Sequence, residues 1–225
     1  MKIKTKLFLF LFVFLLASCG IGQETKEEDN RTAEKVSAKT AEEAPSAESE
    51  FSAADPGEWQ KSSNGEFRLA SYGLNEEIAL DFSETPFIPV EMGAMNVSVQ
   101  DVSVIDYKPG EAQKRVVFGD TDIVRVISAY MVINNYSDMD ILFDPDEASL
   151  LTNTGETLHP LKHWTWTIDG NFTAGATKAV SIAWALEDTE SELTSVRIAF
   201  APPVSKTTNE ELSGPLEIEI EIVPY

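Results

Sequence analysis

From Leu216 to Ile222 the chain alternates apolar and acidic side chains without a break: Leu216, Ile218, Ile220 and Ile222 against Glu217, Glu219 and Glu221. Successive side chains on an extended strand point to opposite faces, so this run specifies a β-strand with one face buried and one in water. The same period returns at Val180, Ile182, Trp184 and Leu186, and again at Val196, Ile198 and Phe200. Ile123 to Asn134 is β-branched and apolar on both faces at several points, which predicts a central strand with both faces covered. Val97 and Val99 are followed by Val102 and Val104, so the parity flips near Gln100-Asp101. Such a flip predicts a β-bulge or a strand crossing between sheets.

Shorter strands are predicted at 140–143, 148–152 and 157–160. Turn chemistry separates them at Asn134-Asn135, Asp144-Pro145, Asn153-Thr154-Gly155, Asp169-Gly170 and Ala174-Gly175. No segment of 57–225 carries a convincing helical period, although Glu187 to Thr194 has room for one turn. Many short one-faced strands with frequent turns predict an all-β, antiparallel β-sandwich rather than a parallel α/β sheet. The sandwich is assigned to 93–225. Residues 57–92 become an N-terminal extension, with Phe67, Leu69, Tyr72, Leu74, Ile78, Leu80 and Phe82 available to pack on a sheet edge or face.

The first 56 residues read differently. Lys2, Lys4 and Lys6 precede ten uninterrupted apolar residues, Leu7 to Leu16. A run that short does not span a hydrocarbon core about 30 Å thick, and its layout is that of a signal peptide over 1–18. It ends in Leu16-Ala17-Ser18-Cys19, which resembles the bacterial lipobox, in which the cysteine thiol takes a diacylglyceryl group and becomes the new N-terminus. Cys19 is the only cysteine in the chain, so an intrachain disulfide framework and a Cys-rich zinc site are excluded. Residues 19–56 are then a lipidated cysteine and a flexible acidic linker. The stretch 20–56 holds ten acidic and four basic residues and too little apolar surface to offset the entropy of ordering it. As a coil it spans about 35 Å. The expected location is extracytoplasmic, lipid-anchored to the cell membrane, and more consistent with a Gram-positive outer face than with a Gram-negative outer membrane.

From Val97 onward the chain carries V-x-V at 97–99, V-x-V-I-S-A-Y-M-V-I-N-N at 124–135, I-L-F-D-P at 141–145 and L-L-T-N-T-G at 150–155. Ala174-Gly175, V-S-I-A-W at 180–184 and the terminal I-x-I-x-I follow. In this order and spacing the chain resembles a family of immunoglobulin-like domains on bacterial, mostly Gram-positive, secreted proteins and lipoproteins. Members of that family are akin to a mycobacterial secreted immunogenic antigen and largely lack an assigned function. The resemblance implies a fold and a location, and it names no catalytic residue. Residues 57–92 and His159 to Trp166 depart from it.

The net charge of −21, from 38 acidic and 17 basic residues, excludes a general nucleic-acid surface, which needs clustered lysine and arginine. The densest acidic group is Asp138, Asp140, Asp144, Asp146 and Glu147. Hard carboxylate oxygens suit Ca²⁺, but the spacing fits no EF-hand, and solvated loop charge in a chain that is acidic throughout is the plainer reading. His159 and His163 stand four apart as zinc ligands would on a helix, yet Pro160 between them argues against a regular helix. In an extended strand Trp164 and Trp166 share a face. They are read either as core plugs or as an aromatic platform for a sugar ring or a partner protein. No nucleophile elbow, S-x-x-K, P-loop or dinucleotide fingerprint occurs.

The expectation is therefore a non-catalytic binding module with no cofactor. Its partners are the lipid bilayer through acylated Cys19, and a cell-envelope protein, a basic peptide or a glycan. Two alternatives stand beside it: a carboxylate-dependent cell-envelope hydrolase, and a structural or stress-related surface spacer.

Overall fold

The computed structural model describes residues 57–81, 86–162 and 169–225. Residues 1–56, with the expected signal peptide, Cys19 and linker, and also Phe82, His163, Trp164 and Trp166, lie outside the described residues. Within them the chain is 52% strand and 9% helix, arranged as antiparallel sheets in an all-β sandwich.

In chain order the strands are β1 Gln60–Ser62, β2 Gly65–Leu74, β3 Val90–Met92, β4 Met95–Pro109, β5 Val124–Asn135 and β6 Ile141–Leu142. They continue with β7 Ser149–Thr152, β8 Thr157–Leu158, β9 Asn171–Phe172, β10 Thr177–Ala185, β11 Ser195–Phe200, β12 Val204–Ser205 and β13 Leu216–Pro224. The main sheet runs β10-β5-β4-β2-β13-β11-β7-β8, with β1 paired to β2 and β3 to β4. A small sheet, β12-β6-β9, completes the fold. One buried cluster joins Val97 and Val99 of β4, Ile127 to Ile133 of β5 and Trp184 of β10 with Leu150 of β7, Ile198 of β11 and Ile220 of β13. The main sheet therefore curls until its two ends share one core, and it does not close into a barrel.

The long strands follow the alternation in the sequence. Ile218, Ile220 and Ile222 are buried while the intervening glutamates are exposed. Strand β5 lies between β10 and β4. Its neighbours Val126 and Ile127 are both fully buried, one in a second apolar cluster with Val124 and Ala183, the other in the main core. Both faces of this strand are thus covered. On β4 the pairing with β5 slips between Val99 and Asp101. That bulge keeps Val97, Val99, Val102 and Val104 all buried, because an extra residue resets which face the next side chain meets.

Two regions differ from expectation. Residues 65–74 are an interior strand: β2 pairs with β4 on one side and β13 on the other. The sheet therefore begins well before residue 93, and only parts of 57–92 are peripheral to it. The alternation of β2 is blurred because nearly every residue in it is half-buried, which hid its place in the sheet. Residues 111–118 form a short helical segment, and Glu187 to Thr194 carry no helical turn.

Gly73 shows why β2 can occupy the middle. A Cβ added there would lie 2.5 Å from Ile220 Cγ2 and 2.7 Å from Val102 Cβ. A glycine inside a strand marks such a close approach. Both neighbours are buried, so neither can swing away. The variant Gly73→Ala is expected to lose about 1–3 kcal/mol through overpacking, read as a lower midpoint in urea unfolding at unchanged slope.

Candidate functional site

A charged residue on a central strand must find a partner, since an isolated buried charge is costly. Arg125 lies on β5 between Val124 and Val126. The register aligns it with Asp106 of β4, and aligns Asp106 with Arg68 of β2. The three side chains form a row across three strands, two positions beyond the buried pair Val104 and Ile127. Here the apolar core face runs out.

Asp106 is the centre of the row, and its carboxylate is 4% exposed. Arg68 donates from Nε and Nη2 to Oδ2 at 3.0 and 2.8 Å. Arg125 donates from Nε to Oδ1 at 2.8 Å. Burial, the largest single influence, pushes the Asp106 carboxyl up. The hydrogen bonds and charges of Arg125 and Arg68 together outweigh it and hold the carboxyl below its ordinary value. Asp106 is thus an ionised anchor that fixes two guanidinium groups.

An aromatic ring joins the row at its outer end. The Cζ of Arg68 lies 4.9 Å from the centre of the Trp59 ring, and Lys108 Nζ lies 3.7 Å from it. Both are cation–π distances. Lys108 also meets Glu66 at 3.7 Å. Residues 57–225 hold only 10 basic residues against 28 acidic ones, yet two of the ten, Arg68 and Lys108, flank one tryptophan.

Beside Arg125 opens a cleft of about 230 Å³, lined by Ser71, Val104, Arg125, Glu190 to Thr194, Ile222 and Pro224. It brings together a cation, hydroxyl groups, an apolar wall and acidic residues of the 190–194 strip. The strip is held in place by its backbone: the amides of Glu190 and Ser191 donate to Asp188 Oδ1, and that of Thr194 donates to Asn153 Oδ1.

The acidic group singled out in the sequence is spread along the chain. Asp138 and Asp140 precede β6, whereas Asp144, Asp146 and Glu147 follow it around the turn Pro145–Glu147. Ile141 and Phe143, both buried, separate the two halves. Asp140 Oδ1 accepts from the amide of Ala174 at 3.2 Å, so it fastens a loop. Among the described residues no three His, Cys, Asp or Glu side chains stand together as a metal-holding group. His159 is exposed after β8, and its expected partner His163 lies outside the described residues. So do Trp164 and Trp166, the aromatic candidates.

Sequence reading passed over Trp59, Arg68, Asp106, Lys108 and Arg125. One signal was available: an arginine inside the apolar run Ile123 to Asn134. Its partners come from strands remote in sequence, and no local pattern links them.

No protein-family model matches the chain, and no curated protein does. A crystal structure of a functionally unknown protein from Listeria monocytogenes EGD-e is similar at 15% identity, covering 72% of this chain and 87% of that one, with a TM-score of 0.44. The yjhA protein from Bacillus subtilis is similar at 13% identity, covering 57% of this chain and 93% of that one, with a TM-score of 0.40.

Proposed function

We propose that this chain is an extracytoplasmic lipoprotein, held on the outer face of a cell membrane by acylated Cys19, whose β-sandwich acts as a non-catalytic binding module. One observation carries the reading. The only cysteine of the chain stands in Leu16-Ala17-Ser18-Cys19, directly after a basic start and ten apolar residues. Diacylation buries methylene groups at about 0.8 kcal/mol each, enough for durable attachment when two chains are present. Among the described residues no helix is long and apolar enough to cross a membrane.

The linker 19–56 raises the concentration of the sandwich near envelope ligands. Its excess of acidic residues is repelled by anionic lipid, which keeps the domain off the bilayer. The Trp59–Arg68–Lys108 cluster and the cleft beside Arg125 then form the surface on which a ligand docks.

Metabolic labelling with a palmitate analogue tests the anchor. The chain is expected to carry label and to sediment with membranes, whereas Cys19→Ser is unlabelled and remains unprocessed at its N-terminus. Labelling that survives Cys19→Ser, or no label on the natural chain, overturns the reading.

A further inference from the structure

We infer that the cleft beside Arg125 recognises the carboxylate of a small zwitterion: a free amino acid or the C-terminal residue of a short peptide. This deepens the binding-module reading and rests on it.

Arg125 commits only Nε to Asp106. No hydrogen bond among the described residues engages its Nη1 or Nη2, and the side chain is 27% exposed at the cleft wall. Asp106 takes three hydrogen bonds from the two arginines, so it is already satisfied and holds Arg125 in one orientation. A pinned guanidinium with two free NH₂ groups presents the paired donors that a carboxylate accepts bidentately. A lysine in this place would offer a point charge without that geometry.

The rest of the lining narrows the ligand. Ser71 and Thr194 bring hydroxyl groups that can meet a carboxylate oxygen. Val104, Leu193, Ile222 and Pro224 supply apolar contact for one small side chain. Glu190 and Glu192 line the same cleft from the 190–194 strip. They suit an ammonium group and repel a second negative charge. The surrounding domain, with 28 acidic and 10 basic residues, repels polyanions in the same way. A ligand with one negative and one positive end has no net charge and escapes that repulsion. The volume of about 230 Å³ lies just below the usual range for drug-sized ligands and suits a single residue.

The test is a titration of the full-length, detergent-solubilised chain with arginine side-chain ¹⁵N resonances as readout. The probes are alanine, trialanine, trialanine C-terminal amide and succinate. Alanine or trialanine is expected to shift the Arg125 Nη signals saturably. The stronger of the two identifies the source, free amino acid or peptide end. The amide and succinate are expected to bind at least tenfold more weakly. Arg125→Lys, which keeps the charge beside Asp106, is expected to weaken trialanine at least tenfold. Ser71→Phe fills the cleft from β2 without touching Asp106 and is expected to do the same while the chain stays folded. Equal binding of trialanine and its amide, tighter binding of succinate, no shift at Arg125 with any probe, or full affinity in both variants overturns the inference. Lipid labelling at Cys19 is read separately, so failure of the anchor and failure of the cleft are distinguishable.

Discussion

Replacing Trp184 with alanine is expected to lower the unfolding free energy by about 3–5 kcal/mol, the largest effect of any single change considered. Trp184 is fully buried on β10. Its ring joins the core that β4, β5, β7, β11 and β13 share. Its indole N–H donates to the carbonyl of Ala148 at 3.0 Å, just before β7, so one side chain ties one end of the curled sheet to the other. Alanine removes the ring, leaves a cavity, and strands a buried carbonyl that loses its donor. Phenylalanine restores most of the volume and none of the hydrogen bond. Trp184→Phe is therefore expected to fall between the natural chain and Trp184→Ala. Urea unfolding of the three chains checks this ordering, and equal stability of the natural chain and Trp184→Ala would remove Trp184 from the role given to it.

The second large effect is at Asp106. Asp106→Ala deletes three charge-assisted hydrogen bonds and leaves two guanidinium groups facing each other. The expected loss is about 2–4 kcal/mol. It falls short of the full cost of breaking a buried pair because Arg68 and Arg125 keep side-chain exposures of 40% and 27%, so water screens the orphaned charges. The same residue sets a pH dependence. Its folded carboxyl lies below the ordinary value, so its contribution is fully present above the unfolded carboxylate pKa of about 3.9. That contribution is lost as pH falls through the lower folded value. The stability difference between the natural chain and Asp106→Asn is therefore expected to be flat from neutrality down to about pH 5 and to shrink below about pH 4. A difference that grows on acidification would contradict the ion-pair assignment. Because Asp106 also fixes Arg125, Asp106→Asn is expected to broaden the Arg125 side-chain resonance even at neutral pH, where folding persists.

The alternation of Val180 to Leu186, Val196 to Phe200 and Leu216 to Ile222 carried the strand assignments, because burial on one face imposes period two directly. The parity flip at Gln100-Asp101 located the β4 bulge for the same reason: one inserted residue exchanges the faces. What escaped notice was β2. Its residues Phe67 to Tyr72 are half-buried on both sides, so hydrophobicity gives no contrast to read, and Gly73 fits only because of partners 29 and 147 positions away in Val102 and Ile220. The Arg68–Asp106–Arg125 row was hidden similarly. Each residue is an ordinary polar position in its own strand, and only the sheet register brings them together. Asn135 adds a further case. It reads as a turn residue, yet it ends β5 fully buried, with Nδ2 donating to the carbonyls of Met139, Phe172 and Thr173. Its side-chain amide ties the loop after β5 to β9, a role that depends on where distant carbonyls lie.

The last strand, β13, pairs with β2 on one side and β11 on the other. Among the described strands it alone bridges the half of the sheet made of β10, β5, β4 and β2 to the half made of β11, β7 and β8. Such long-range pairing is slow to form, and here both halves wait on one strand. Until residues 216–224 pair on both edges, the two halves have no shared backbone ladder.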